Sequence, residues 1–323
     1  MSGALAELNA IFRAEHGEPV PEAARRVTEE ILTRHGSSVS AVLFYGSCLR
    51  KQQLVGSVLD FYAIVDSYRD AYRSRWLAVA NRLLPPNVFL LSVDGGAEQI
   101  HSKYAVISRA DFERGAEGRT LHSIVWARFC QPSRVTWARD ESVREAVAAI
   151  CSAAALTMVR TGLALRLHAE DETVDFESLW QDGFRATYAT ELRTERPETI
   201  RELYAAAPAR YDRVASLALE ELARQGELEV VDAAGGSPRV RVDRVRVATR
   251  ARSWRRRSCL AKIIYVFRLV KSALTFGDWL PYALFKLGRH TGARIELTPL
   301  QRRYPLIFGW PVVFRLLRSQ KLR

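Results

Sequence analysis

The sequence is short of cysteine, and this limits the kinds of site that it can hold. Its four cysteines, Cys48, Cys130, Cys151 and Cys259, are far apart, and neither a Cys-x-x-Cys pair nor a cysteine–histidine cluster occurs. This pattern predicts neither a zinc site nor a disulfide framework. The N-terminal segment has acids where a secretory signal peptide needs bases, and it lacks a long apolar region. We therefore expect a reducing, cytoplasmic-type compartment.

Acids and long apolar runs are also scarce in the tail, residues 251–323. Of the chain's 48 Lys and Arg and 36 Asp and Glu, the tail holds 16 bases but 2 acids, a balance of +14. Residues 1–250 keep 32 bases and 34 acids, a balance of −2. No stretch of the tail reaches the roughly 18 uncharged residues of a membrane-spanning helix. The asymmetry predicts that the tail contacts an anionic surface.

Two short apolar runs in the first third of the chain form its most informative stretch. Residues 41–45 are too few for a helix and suit a buried strand, which Gly46 and Ser47 then break. After a polar spacer, Asp60 comes directly before a second apolar run, residues 61–65. A strand therefore leads into a Gly-Ser turn, and a second strand opens with a carboxylate.

This arrangement suits phosphate chemistry. Gly46 allows the backbone to approach a phosphate closely, and successive N–H groups with the Ser47 hydroxyl can surround an anion. A carboxylate that faces them, such as Asp60, can hold Mg²⁺ against a triphosphate. The alternative from the residues alone is a plain hairpin with a Gly-Ser turn and a solvated aspartate.

The pattern resembles the DNA polymerase β-like nucleotidyltransferase superfamily, including the length of the spacer, residues 48–59. That superfamily usually has a second acid two residues after the first, and here the position is Tyr62. Asp66 lies too far along a straight strand, about 20 Å from Asp60, to share one ion. A further carboxylate would have to come from elsewhere in the chain.

A closer resemblance runs over residues 40–215. Four segments in the same order are similar to mitochondrial-type phosphatidate cytidylyltransferases, which make CDP-diacylglycerol from CTP and phosphatidate. That family also tends to lack the second acid. The segments are YGS at 45–47 with LDFYAIVD at 59–66, SKYAVISRADF at 102–112, WARFCQP at 126–132, and TYATELRTERPETIRELY at 187–204.

The resemblance implies roles for individual residues. Gly46 and Ser47 would hold the triphosphate of CTP, and Asp60 would bind Mg²⁺. Lys103 and Arg128 would neutralise phosphate charge, as nucleotidyl transfer requires.

The resemblance further implies that Asp111 is the missing metal-binding acid, or else a structural cap of a short turn. Other structural alternatives stay open: Lys103 could be a solvated base, and Arg128 could pair with Glu191 or Glu195. Gln131 stands where the family has a lysine, which removes one expected cation.

The expected fold class is α+β in three parts. Residues 1–170 would form a nucleotidyltransferase domain with a mixed sheet and flanking helices. Residues 171–250 would form a helical or winged-helix-like domain, although any small α+β subdomain would fit. Its predicted helices cover 176–191, 197–207 and 209–225, and a hairpin follows that ends with RVRVDRVRV at 239–247.

The tail is predicted to associate with membranes. Residues 254–276 mix apolar and aromatic side chains with Lys and Arg, and 304–314 are apolar but interrupted by proline. Bases would bind lipid phosphates, while Trp254, Trp279 and Trp310 would lie in the headgroup layer. A domain cap with a basic rim and a nucleic-acid surface are the alternatives.

Together these features favour a peripheral enzyme on the cytoplasmic face of a membrane. The first hypothesis is a Mg²⁺-dependent phosphatidate cytidylyltransferase with CTP as substrate and an anionic phospholipid membrane as partner. The second is a nucleotidyltransferase with a soluble or RNA acceptor, although we do not expect nucleic acid as a partner. The third is a non-catalytic relative that binds membranes.

Overall fold

A five-stranded mixed sheet forms the centre of the chain in the computed structural model, which describes residues 2–51, 57–95, 99–166, 171–191, 197–232 and 238–275. The strand order is β3-β4-β2-β1-β5, with β2 parallel to β4 and the other neighbours antiparallel. A three-stranded antiparallel sheet has the order β6-β8-β7. The strands are β1 (Val39–Tyr45), β2 (Val58–Val65), β3 (Asn87–Asp94), β4 (Gln99–Ser108), β5 (Ser133–Ala138), β6 (Asp171–Thr173), β7 (Leu228–Asp232) and β8 (Arg239–Val242).

Helices cover both faces of the larger sheet. This confirms an α+β fold with a mixed sheet and flanking helices. The helices are α1 (Gly3–Gly17), α2 (Glu22–His35), α3 (Ser47–Lys51), α4 (Tyr68–Ala71), α5 (Arg75–Leu83), α6 (Arg109–Ala116), α7 (Ile124–Phe129), α8 (Glu141–Arg166), α9 (Phe176–Thr190), α10 (Pro197–Ala205), α11 (Pro208–Arg224) and α12 (Arg244–Thr275).

The larger sheet separates two apolar cores because successive side chains of a strand point to opposite faces. Leu43 and Tyr62 lie in the core that also receives α1, α8, α9 and α11. Phe44 and Phe61, their neighbours in sequence, lie in the smaller core with α2. The larger core continues into residues 214–222 and 240–242, so it spans both sides of the domain boundary predicted at residue 170.

Helix α8 is the one helix among the described residues that is long and apolar enough to cross a membrane. Its most apolar window is 72% buried inside the protein. The helix packs against α1, α7, α9, α11 and α12, as a core helix does.

The predicted second strand of the C-terminal hairpin is wrong beyond Val242. Asp243 ends the strand and starts α12, because its carboxylate Oδ1 accepts a hydrogen bond from the backbone N–H of Val245 at 2.8 Å. The alternating Val and Arg that follow are therefore helical, and α12 continues through the boundary predicted at residue 250. The sequence also gave no indication of β5 or of the short helix α3.

The described part of the tail packs against the rest of the chain. Trp254 contacts Trp126 edge to face, with ring centroids 5.8 Å apart, so its ring is partly covered by the protein. Its place in a lipid headgroup layer stays a prediction. Arg257 donates a hydrogen bond to the carbonyl oxygen of Gly118 at 2.7 Å. On its inner side, the helix therefore acts as the domain cap that was one of the alternatives. The predicted membrane contacts at 304–314, Trp279 and Trp310 lie outside the described residues.

Candidate active site

Three polar side chains lie in one row across the centre of the larger sheet. The β1–β2 register pairs Tyr45 with Asp60, and the β2–β4 register pairs Asp60 with Lys103. Directly paired residues on neighbouring strands point to the same face. The Lys103 Nζ atom lies 2.8 Å from Asp60 Oδ1. Burial raises the pKa of Tyr45 well above its ordinary value, and the negative charge of the Asp60 carboxylate raises it further, so the phenol stays protonated.

Gly46 brings the backbone against the Asp60 carboxylate. Its φ of +94° lies in a region that L-residues rarely adopt, and a Cβ atom there would be 3.0 Å from Asp60 Oδ2. Glycine is thus required both for the turn after β1 and for room beside the carboxylate. Ser47, the next residue, is exposed and begins α3.

These residues line one cleft of about 510 Å³. This confirms that Gly46, Ser47, Asp60 and Lys103 share a cleft. Its walls are otherwise largely apolar or aromatic, with cations at several points. Besides those four residues, the lining includes Tyr45, Tyr62, Pro86, Val88, Tyr188 and Tyr265, with Arg50, Arg128 and Arg268 as the other cationic side chains.

Arg128 lines the cleft but is also one half of a buried ion pair. Its Nη1 and Nη2 atoms donate to the two carboxylate oxygens of Glu191 at 2.8 and 2.7 Å. Burial alone would lower the pKa of Arg128, but the charge and hydrogen bonds of Glu191 outweigh it and raise that pKa well above its ordinary value. The pairing predicted as an alternative for Arg128 is therefore confirmed for Glu191. Arg128 contributes less net charge to a phosphate than an unpaired arginine would.

One wall of the cleft comes from α12. Arg268 is buried and donates to the carbonyl oxygen of Pro85, while Lys271 donates to that of Leu84 and, at 2.9 Å, to that of Pro86. Burial lowers the pKa of Arg268 to about 10, so it stays charged at neutral pH. Burial and the nearby Arg268 lower the pKa of Lys271 to about 7.

Asp111 does not belong to this site, and its predicted role as a second metal ligand is wrong. It lies in the first turn of α6, beyond Ser108, which pairs with Val65 at the far end of β2. Five residues of strand separate Asp60 from Val65, which is roughly 16 Å.

The contacts of Asp111 are with side chains of its own end of the sheet. Its carboxylate accepts hydrogen bonds from Tyr68 Oη at 2.6 Å and from Ser108 Oγ at 3.1 Å, and it pairs with Arg114. Its own backbone N–H donates to Ser108 Oγ at 3.2 Å. Ser108 is thus the N-cap of α6, and the Asp111 carboxylate holds the Ser108 hydroxyl in place. Asp111 therefore has a structural role in the capped turn, although the capping side chain is that of Ser108.

Within the described ranges, the donor set of the cleft allows a metal only in a limited way. Among the residues that the structure describes, Asp60 is the single carboxylate facing the cleft that is not already held by an arginine, and no cluster of three His, Cys, Asp or Glu occurs there. Mg²⁺ commonly takes one or two carboxylates and completes its shell with substrate phosphates and water. Asp60 with nucleotide phosphates would therefore fit Mg²⁺.

Sequence reasoning missed two cations of the cleft. Arg50 follows Ser47 by three residues, so a helix starting at the turn would have placed both on one side. Its Nη1 donates to Gln131 Oε1 at 3.2 Å, so Gln131 positions an arginine where the family's lysine was expected. No local signal could have indicated Arg268, which is more than 200 positions from Asp60 in the chain.

Comparison with known proteins adds no relative. No family model matches the chain, and no curated protein matches it.

Proposed function

We propose that the cleft transfers a cytidylyl group from CTP to phosphatidate, giving CDP-diacylglycerol and pyrophosphate on a nucleotidyltransferase-type fold. The observation that carries the proposal is the row Tyr45–Asp60–Lys103 beside Gly46, at the floor of a cleft with several cationic side chains. Nucleotidyl transfer depends mainly on positioning and on neutralising phosphate charge. The described lining of this cleft offers one carboxylate, Asp60, with Lys103, Arg50 and Arg268 around it.

The chemistry of attack favours a phosphate as the acceptor group. A phosphate oxygen of the acceptor forms the bond to the α-phosphorus of CTP, and the bond to pyrophosphate breaks. A phosphate monoester is already ionised near pH 7, because its second pKa is about 6. It therefore needs no base, whereas a hydroxyl acceptor such as the end of an RNA would need one. No histidine lines the described part of the cleft, and Asp60 is held by Lys103.

Individual residues would divide the work. Lys103 and Arg268 would neutralise the triphosphate and the pyrophosphate that leaves. Mg²⁺, held by Asp60 and the nucleotide phosphates, would supply further positive charge at the reacting phosphates. Tyr62, Tyr188 and Tyr265 give the cleft aromatic walls that suit a base or an acyl chain.

The test is a direct assay with the purified full chain. Each labelled nucleoside triphosphate is incubated with Mg²⁺ and vesicles that contain phosphatidate, and in parallel with an RNA acceptor. We expect CDP-diacylglycerol to form with CTP and phosphatidate, and no corresponding product with the other nucleoside triphosphates. Transfer to RNA, or to no acceptor at all, would replace the proposal by the second or third hypothesis.

Comparing two aspartate variants tests whether turnover depends on the cleft. Asp60→Asn should lower turnover by several orders of magnitude because it removes the carboxylate next to Lys103. The matched control is Asp66→Asn, at the far end of β2, whose carboxylate pairs with Arg139 at 2.6 Å and is half exposed. Asp66→Asn should keep wild-type turnover. Equal activities of the two variants would contradict the role of Asp60.

A further inference from the structure

Helix α5 presents an apolar stripe to solvent. Trp76, Val79 and Leu83 are 60%, 50% and 77% exposed, and their spacing places them on one side of the helix. The opposite side carries Asn81, which is buried. Single exposed apolar residues are ordinary, but a row of three that includes a tryptophan suggests a surface that meets another apolar phase.

Arginines flank this stripe. Arg75 and Arg82 lie beside it, seven residues apart, and with Arg69 they line an open cavity of about 1100 Å³ at the C-terminal ends of β2 and β4. The two other arginines that line this cavity, Arg114 and Arg119, are paired with acids. By contrast, Arg69, Arg75 and Arg82 have no ion-pair partner in the part of the chain that the structure describes. Their charge is thus available to an anionic partner.

The stripe ends beside the connection that α12 contacts. The carbonyl oxygens of the α5–β3 connection accept hydrogen bonds from Arg268 and Lys271. The sequence neighbours of these residues are exposed: Phe267 is 62% exposed and Val270 is 57% exposed, while Leu83 directly precedes the connection. In this part of α12, the two cations Arg268 and Lys271 therefore point inward, while Phe267 and Val270 point outward. Exposed apolar side chains of both helices therefore lie next in sequence to residues of this junction.

We propose that α5 is an interfacial helix that docks, together with the exposed face of α12, on an anionic lipid bilayer. Trp76, Val79 and Leu83 would enter the headgroup boundary, and Arg75 and Arg82 would bind lipid phosphates. A nucleic acid would satisfy the arginines but would leave the aliphatic side chains without an apolar partner. This docking does not depend on the reaction in the cleft, although Pro86 and Arg268 line both the cleft and the α5–α12 junction.

The first experiment measures binding of the full chain to vesicles by flotation, without nucleotide. The vesicles contain phosphatidylcholine alone or with phosphatidylserine. Arg75→Gln/Arg82→Gln should weaken binding to the anionic vesicles about fivefold per arginine, the factor that ~1 kcal/mol represents. Trp76→Ser/Leu83→Ser should weaken binding to both kinds of vesicle. The control Val231→Ser, on an exposed position of β7, should bind as the wild type does.

A second measurement detects α5 at the membrane directly, whatever other segments bind. Brominated phosphatidylcholine quenches tryptophan fluorescence only at close range. Trp76→Phe should therefore remove part of the quenching that the wild type shows on mixed vesicles. Unchanged quenching together with unchanged flotation of both double variants would overturn the proposal.

A control with nucleic acid distinguishes a nucleic-acid surface from a membrane surface on α5. If Arg75→Gln/Arg82→Gln impairs only retention of a duplex or single-stranded probe at matched salt, then α5 is a nucleic-acid surface and the membrane proposal is wrong. Since no measurement here uses turnover, a failure of the proposed cytidylyl transfer would not change these outcomes.

Discussion

The buried pair of Arg128 and Glu191 gives the sharpest test of how this cleft is held together. We consider Glu191→Gln, which keeps the shape of the side chain but removes its charge. The Glu191 side chain is 2% exposed and that of Arg128 is 18% exposed. The guanidinium would lose its ionic partner and one of its two hydrogen bonds to residue 191, because the glutamine side chain keeps a single acceptor oxygen. It would keep the hydrogen bond to the carbonyl oxygen of Ile124 at 3.0 Å.

The expected cost follows from this geometry. Two unit charges about 4 Å apart attract each other by about 4 kcal/mol at an effective dielectric constant of 20. Removal of one partner of a buried pair typically costs about 3–5 kcal/mol, since the other charge remains buried. We therefore expect Glu191→Gln to lower the free energy of unfolding by about 4 kcal/mol.

The assay is denaturant unfolding of the wild type, Glu191→Gln and the double variant Arg128→Met/Glu191→Met. The double variant should recover most of the loss, because replacing both charges by apolar groups is often neutral. The control is Glu198→Gln, whose partner Arg201 is at 3.1 Å in an exposed pair, and its cost should be under about 1 kcal/mol. A loss below about 1 kcal/mol for Glu191→Gln, or no recovery in the double variant, would refute the reasoning.

Three further predictions concern the turn, a buried histidine and α12. Gly46→Ala should abolish turnover because its Cβ would press on the Asp60 carboxylate. The control Gly226→Ala, with a similarly positive φ of +69° but open space around it, should keep turnover and lower the free energy of unfolding by only about 1–3 kcal/mol. Turnover and denaturant unfolding are measured for both variants. Burial and nearby arginines lower the pKa of His16 to about 3, so between pH 6.5 and 3 the imidazole is protonated in the unfolded chain but not in the folded one. The free energy of unfolding should therefore fall as the pH drops through that window, by up to about 1.4 kcal/mol per pH unit. His16→Gln should make the free energy of unfolding depend less on pH, as measured by denaturant unfolding at several pH values. Truncation after residue 243 removes α12 and with it the cleft wall that contains Arg268. It should therefore lower the melting temperature and weaken CTP binding, both measured by calorimetry. A truncated chain that melts and binds CTP like the full chain would contradict the role of α12 in the cleft.

Two cations of α12 are buried, so the net charge of the tail overstates the charge that a partner can reach. A count of bases predicts that the tail contacts an anionic surface, but Arg268 and Lys271 are buried and bind backbone carbonyl oxygens. The charge that remains exposed on the helix includes Lys262. Net charge therefore does not show which cations reach a partner, since side-chain direction decides that.

The sequence by itself determined the local elements and the pieces of the site. Apolar runs of the right length predicted β1, β2 and the buried helix α8, since periodicity and length are local properties. The Gly-Ser break and the acid that opens the next strand predicted Gly46, Ser47 and Asp60 as partners in one cleft.

Only the tertiary structure decided which distant residues complete the site. Lys103 reaches Asp60 through the parallel register of β2 and β4, and the same strand direction carries Asp111 to the opposite end of the sheet. Arg268 enters the cleft because α12 packs across the α5–β3 connection. Register and packing follow from burial of the whole chain, which no local window of sequence contains.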